Sequence, residues 1–373
     1  MPRLLTQGLK PTAATDVENP SGDGRSARTS ERAVRVLEWP RWMTTDYLPR
    51  VVDGLRDEGL RVRTPHLLGV GATRLQPGDW LHVHWSTEAH VHHLRWLYMA
   101  RAESFHQHIR RLKRRGIRIA WTAHNLVPHD DPHPELGRCF RAELLARTDH
   151  VFIHFPGAQE ILQQEFGYTG PCTVVHHPAY VNVHPAPPSQ AVARTALGLP
   201  PRGFVALAFG KIRPYKGLAD VIRAFQLIAG ADDRLVVAGE PEGDVSAELE
   251  LAHRDPRIMV HARRIPGDEV PTYFAAADAS VFAHHAFFTS GSALLSLSMG
   301  CPIVGQPINH LADLTGGRRI YPVGPGAEEL ARGLIDARQQ AAEVDRAALR
   351  AWAAAHGDWA DAAAQMAAVF RSA

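Results

Sequence analysis

Lys211, Arg213 and Lys216 place three cations within six positions of the segment Phe209-Gly210-Lys211-Ile212-Arg213-Pro214-Tyr215-Lys216-Gly217. An apolar run precedes this segment, and the helical pattern Leu218, Val221, Ile222, Phe225 follows it. Glycine lets the backbone turn tightly and approach a ligand. The first turn of a helix offers unbonded N–H groups and a partial positive charge. Together with cations, these features suit a diphosphate, although a solvated basic turn uses the same residue types. A second segment, Phe288-Thr289-Ser290-Gly291-Ser292, leads into the apolar stretch Ala293-Leu294-Leu295-Ser296-Leu297. Small hydroxyl residues and a glycine at a helix start either cap the helix or bind an anion. The two segments lie in the same half of the chain, and together they point to a nucleotide diphosphate. Glu240 and Arg263, beyond the next two apolar runs, join Gly210, Arg213 and Thr289 to Ser292 as nucleotide-binding candidates.

The 22 histidines suggest a second chemistry. His82-Val83-His84 puts two imidazoles on one face of a strand, and His90, His92 and His93 follow. A metal-dependent hydrolase could use such a set. No carboxylate at ligand spacing accompanies it, so no metal ligand is assigned.

Positioning these groups requires strands that end at a common edge. Short apolar runs recur along the chain, each followed by a polar turn and a helical stretch: Ala33–Leu37, Trp80–His84, Ile117–Thr122, His150–His154 and Thr173–His176. A second series comprises Phe204–Phe209, Arg234–Ala238, Arg257–Val260, Ala279–Ala283 and Pro302–Gly305. Alternating strands and helices predict βαβ units with parallel sheets. Ligands of such sheets bind beyond the carboxyl ends of the strands, where the loops named above fall. The expected fold is α/β, with two Rossmann-like domains facing each other across a cleft. Its boundaries run as a disordered leader over 1–30, a first domain over 31–184 and a linker over 185–200 around Pro185-Ala186-Pro187-Pro188. A second domain follows over 201–350, then a C-terminal helix over 351–373.

Composition fits this outline. A chain of 373 residues, 45% hydrophobic and 21% charged, supports two packed cores. A net charge of +2 is too mild to suggest nucleic acid. No apolar stretch approaches a membrane span and no secretory signal is evident. Three cysteines without paired spacing, Cys139, Cys172 and Cys301, fit a reducing compartment, so a cytoplasmic protein is expected.

The second half resembles the sugar-donor domain of GT-B glycosyltransferases, particularly glycosyltransferase family four. That family carries a strand followed by Gly-Arg, then Pro-x-Lys-Gly. Lys211 stands where the family has Arg, and Lys216 matches its Lys. Tyr273-Phe274-Ala275-Ala276-Ala277-Asp278-Ala279-Ser280-Val281-Phe282 resembles a further family helix and strand, and Gly300-Cys301-Pro302-Ile303-Val304 its Gly-x-Pro step. The resemblance implies that Lys211 and Lys216 hold the diphosphate of a nucleotide sugar, which is a substrate, with no cofactor and no metal. It implies a hexose-type sugar passed to a hydroxyl acceptor, whether a glycan, a lipid-linked glycan or a natural product, and a C-terminal helix that returns to the first domain. Trp121-Thr122-Ala123-His124-Asn125 resembles the family strand ending in Thr-x-His, which would set His124 against the transferred sugar. The family's paired glutamates fall instead at Phe287 and Leu295, both apolar. Some bacterial GT-B subgroups resemble this chain in carrying Thr-Ser-Gly-Ser there.

A transferase of this kind neutralises its leaving group with cations and helix N-termini. An inverting reaction needs a base, for which Glu88, His124, Asp130 and Asp131 are the candidates. A retaining one needs none, and both courses stay open. So does a protein that binds sugar nucleotides without turnover. Leu94, Leu97, Tyr98, Phe105, Ile109 and Leu112 recur at helical spacing among seven basic residues. That helix either packs on the sheet or touches anionic lipid, which would suit a lipid-linked acceptor.

Overall fold

The structure, a computed structural model, describes residues 34–41, 46–128, 131–284, 287–315 and 319–372. The leader expected over 1–30 lies outside them. Residues 33–373 form one compact unit containing two six-stranded sheets.

The first sheet comprises β1 (Arg35–Trp39), β2 (Arg61–Arg63), β3 (Trp80–Val83), β4 (Arg118–Thr122), β5 (His150–Ile153) and β6 (Cys172–Val174). Its order is β2-β1-β3-β4-β5-β6 with every pair parallel. β3 and β4 are buried along almost their whole length, as strands covered on both faces must be. One face packs Phe105, Ile109 and Leu112 of the helix Arg95–Arg114 and Phe140 and Leu144 of the helix Pro134–Leu145. The other packs the helix Tyr47–Asp57 and the C-terminal helix Trp359–Ser372. The basic helix therefore spends Phe105, Ile109 and Leu112 on the sheet. Arg110 pairs with Glu143 at 2.8 Å and also with Glu103, and Lys113 pairs with Asp149. Among the described residues no helix is long and apolar enough to cross a membrane.

The second sheet comprises β7 (Val205–Phe209), β8 (Arg234–Ala238), β9 (Ile258–His261), β10 (Ala279–Phe282), β11 (Ile303–Gly305) and β12 (Ile320–Pro322). Its order, β12-β11-β10-β7-β8-β9, is again all parallel. The direction of winding reverses between β7 and β10, and a ligand crevice opens at such a switch point. The helices Leu218–Ile228 and Ala327–Gln340 cover one face, and Gln190–Ala196 and Val270–Ala276 the other.

Two boundaries differ from expectation. The stretch expected as a linker over 185–200 contains the helix Gln190–Ala196, which belongs to the second domain. Its Arg194 is buried there, bound to Asp278 at 2.8 Å and to the Ala276 carbonyl at 3.1 Å. The return to the first domain comes at Gly357. The helix Arg346–His356 still packs on the second domain, through Arg346 and the Phe274 carbonyl among others. The helix Trp359–Ser372 then docks on the first, where Trp80 Nε1 donates to the Phe370 carbonyl at 3.0 Å.

Candidate active site

β7 ends at Phe209, and the loop beyond it closes in a short turn, Pro214–Lys216, before the helix Leu218–Ile228. Gly217, between turn and helix, adopts φ +67°, and a Cβ there would meet the Ala283 carbonyl at 2.7 Å. Only glycine fits without displacing the end of β10. The sharp turn folds Lys216 back over the strand ends. A Cβ at Gly210 would lie 3.5 Å from Lys216 Nζ and 3.7 Å from Ser292 Oγ, so both basic and hydroxyl loops converge on one spot. Ser290 caps the helix Gly291–Ser298, its Oγ accepting from Ala293 N at 3.2 Å. That leaves the first N–H groups of this helix without an intrahelical partner.

Burial, reinforced by neighbouring Arg213 and Lys211, lowers the Lys216 ammonium to about 8. Lys211 and Arg213 are both drawn to Glu242, Lys211 at 2.7 Å. Partial burial opposes ionisation of Glu242, yet hydrogen bonds from these two cations hold its carboxyl below the ordinary range. Glu242, engaged by Lys211 and Arg213, offsets only part of the lowering at Lys216, so half-buried Lys216, with no ion-pair partner of its own among the described residues, is the residue of the three whose environment calls for an anion.

These loops border a cavity of about 540 Å³ shared by both domains. The second domain contributes Phe209, Gly210, Ile265, Val270, Ser292 and Leu295. The first contributes Asp46, Tyr47, Trp85, His124, His177 and Tyr180. A smaller adjoining cavity is lined by Lys211, Arg213, Lys216 and His284. Two expected nucleotide ligands, Arg263 and Glu240, need placing anew. Arg263 turns to Glu269 and to the Tyr273 hydroxyl at 3.5 Å, and its neighbour Arg264 lines the cavity instead. Glu240 is exposed at the end of β8 and lines neither cavity; the part it supplies is its carbonyl, which accepts from Ile212 N at 2.9 Å. Thr289 lines the large cavity as expected, at the domain junction, its hydroxyl 3.5 Å from the Ala123 carbonyl.

On the first-domain side, His124 lines the cavity by its ring. It stacks on Trp85 at 4.0 Å, with Tyr47 edge-on at 4.8 Å. Both its nitrogens are turned away, Nε2 to His84 Nδ1 at 3.1 Å and Nδ1 to His154 Nε2 at 3.3 Å. The chain extends from His84 Nε2 to Glu38 at 2.7 Å and from His154 Nδ1 to the Val175 carbonyl at 2.8 Å. Carboxylate and carbonyl only accept, so both ends demand an N–H. Three neutral imidazoles carry three N–H groups for these four contacts. Burial holds His84 down to about 4, His154 to about 3, and His124 well below the usual histidine range. The imidazoles are therefore neutral at pH 7, one contact lacks a proton, and the longest is His124–His154. Burial opposes charge on Glu38, but His82 and His84 hold its carboxyl down to about 2.

Glu38 is the carboxylate that the spacing of His82 and His84 did not reveal, because it comes from the neighbouring strand β1. The ligand atoms of Glu38, His82 and His84 lie within 4.8 Å of one another, a grouping with the chemistry to hold a metal. They are fully buried and satisfy each other as hydrogen bonds of 2.7 and 3.1 Å, and His82 Nε2 meets Thr122 at 2.7 Å. Of the carboxylates expected as bases, Asp131 is buried away from the cavity, accepting from Tyr98 at 2.8 Å and from His133 N at 2.9 Å. Asp130 and the side chain of Glu88 lie outside the described residues.

The cleft and its two sheets have counterparts among known proteins. Residues 203–340 match the family described as Glycosyl transferases group 1. The fold aligns with sucrose-phosphate synthase of Thermosynechococcus elongatus at a TM-score of 0.72 and 15% identity, over 91% of this chain and 99% of that one. It aligns with Anabaena Alr3699/HepE, solved in complex with UDP, at 0.69 and 14%, over 91% and 100%. The chain has the GT-B fold, and its second domain is similar to the group 1 glycosyl transferases. In sequence it is 29% identical over 197 residues to a D-inositol 3-phosphate glycosyltransferase 2 of Catenulispora acidiphila, 47% of this chain and 46% of that protein. The chain thus spans about half the length of the curated relatives it matches. The GT-B frame accounts for a site built from two sheet edges. Sequence reasoning missed Tyr47, His177, Tyr180 and Arg264. His177 was legible in principle, since Val175-His176-His177 leaves β6 at the edge where ligands bind. Tyr47 and Arg264 carry no such signal.

Proposed function

We propose that this chain is a glycosyltransferase that moves a hexose from a nucleotide diphosphate sugar to a hydroxyl acceptor without a metal. The observation that carries the reading is the convergence of Lys216 Nζ and Ser292 Oγ on Gly210, at the switch between β7 and β10, beside a cavity lined by both domains. Phe209, Ile265, Val270 and Leu295 give the cavity an apolar end suited to a nucleobase. Lys216 and the N-terminus of the helix Gly291–Ser298 offer charge and N–H groups to the diphosphate. Aromatic and histidine side chains of the first domain close the remaining side, where a sugar and its acceptor would meet. As the glycosidic bond breaks, negative charge grows on the leaving diphosphate, and a preorganised ammonium stabilises it without reorganisation. Anabaena Alr3699/HepE binds UDP in the same fold, which supports a nucleotide-sugar substrate. A cytoplasmic location and an acceptor presented on a lipid are part of the same proposal. Exposed Leu94, Trp96 and Met99 beside Arg95 support a membrane contact.

Phe287 and Leu295 favour a second reading, a sugar-nucleotide-binding protein without turnover. Phe287 is packed in the core, and Leu295 lines the cavity where a carboxylate was expected. Incubating the purified protein with a panel of nucleotide sugars and reading released nucleotide separates the two. Release from at least one sugar nucleotide supports the transferase. Tight binding with no release supports the second reading, and neither binding nor release refutes both.

A further inference from the structure

His177 follows β6 and is buried at 5% exposure, yet it lines the large cavity. Its Nδ1 lies 3.0 Å from the Pro178 carbonyl. A carbonyl only accepts, so Nδ1 carries the proton and Nε2 of the neutral ring presents a lone pair. Nε2 has no hydrogen-bond partner among the described residues. A Cβ at Gly291 would lie 3.2 Å from Nε2 and 3.2 Å from the Tyr180 hydroxyl. The space that glycine leaves is therefore bordered by a lone-pair acceptor, a hydroxyl and the first N–H groups of the helix Gly291–Ser298.

These groups sort ligands by chemistry. N–H groups and Lys216 attract phosphate oxygens, whereas a bare imidazole lone pair repels them and accepts from O–H. We propose that His177 Nε2 accepts a hydrogen bond from a sugar hydroxyl held beside the diphosphate end of the cleft. The inference rests on the sugar-nucleotide reading of this cavity. Burial holds His177 down to about 4, so the lone pair persists throughout the neutral range. The imidazole that meets sugar by its nitrogen is then His177, while His124 offers the cavity only its ring. The hydroxyl belongs to the transferred sugar.

The test compares His177→Leu, which removes the lone pair, with His177→Gln, whose side-chain carbonyl restores an acceptor near the Nε2 position. Calorimetry is run with UDP and UDP-glucose, and with GDP and GDP-mannose as a second pair, alongside nucleotide release at saturating sugar nucleotide. Melting temperatures establish that both variants fold. His177→Leu is expected to bind the sugar nucleotide about tenfold more weakly, the cost of one hydrogen bond. The nucleoside diphosphate then binds within about twofold of wild type, and His177→Gln recovers part of the loss. A His177→Leu protein that binds and turns over like wild type overturns the proposal alone. So does equal weakening of nucleotide and nucleotide sugar, which would mark a structural role. A wild-type protein that binds none of the four probes removes the sugar-nucleotide reading, and this proposal with it.

Discussion

Burial brings Lys216 to about 8, so its ammonium is present at neutral pH and is lost just above it. Affinity for UDP should hold to about pH 8 and weaken beyond, as the free protein gives up the proton that the diphosphate requires. Lys216→Arg should remove this alkaline limb, because a guanidinium stays charged throughout. Calorimetric titrations between pH 7 and 9.5 read both slopes, and an unchanged limb in the Arg variant would assign it elsewhere. The histidines act in the opposite pH range. His84, His106, His177 and His356 are each held to about 4 by burial, against 6.5 when exposed. Between those values the unfolded chain binds more protons than the folded one, so stability falls as pH drops from 6.5 to 4. Melting temperature should fall steeply over that window and stay nearly flat from pH 7 to 8. Much of the histidine richness is thus core chemistry, which composition could not disclose. Whether an imidazole is buried depends on strand neighbours, and Glu38 reaches His84 from 46 positions away.

At the scale of elements, loop placement was readable and loop orientation was not. The apolar runs marked ten strands at nearly their observed limits. β2 and β12, three-residue edge strands, carry too little apolar signal to be seen. Topology then fixed which loops meet: parallel pairing of β7 with β10 brings the basic and hydroxyl loops to one edge, as their order in the chain suggested. The side chains within them were another matter. Arg263 and Arg264 are adjacent, and only contact with Glu269 decides that the first leaves the cavity to the second. Gly217 is the pivot of the basic loop. Gly217→Ala imposes a left-handed backbone on alanine and drives its Cβ toward the Ala283 carbonyl at 2.7 Å. Destabilisation on the order of 1–3 kcal/mol is expected, with weakened UDP binding as Lys216 is displaced. Denaturant unfolding measures the first and calorimetry the second; a variant as stable as wild type would mean the loop has another conformation.

At the scale of the molecule, the C-terminal helix ties the two domains together. Phe370 is fully buried against Trp80 and Phe152 of the first sheet, at ring distances of 5.3 and 5.5 Å, although the preceding helix packs on the second domain. Its alanine-rich sequence foretold a helix and the GT-B resemblance its return, but neither said which aromatic would anchor it. Phe370→Ala should cost about 3–5 kcal/mol in denaturant unfolding, as for other large aromatic deletions. An effect under about 1 kcal/mol would mean that the helix is not docked. The docked helix lets both domains line one cavity, and the central claim is that this cavity binds a nucleotide through its diphosphate at Lys216. The most direct measurement is UDP binding by calorimetry to wild type and to Lys216→Ala, with uridine as the control lacking phosphate. The account predicts that Lys216→Ala weakens UDP roughly 10- to 1,000-fold, about 1.4–4 kcal/mol, and leaves any uridine affinity unchanged. Equal UDP affinity in the two folded proteins would contradict it.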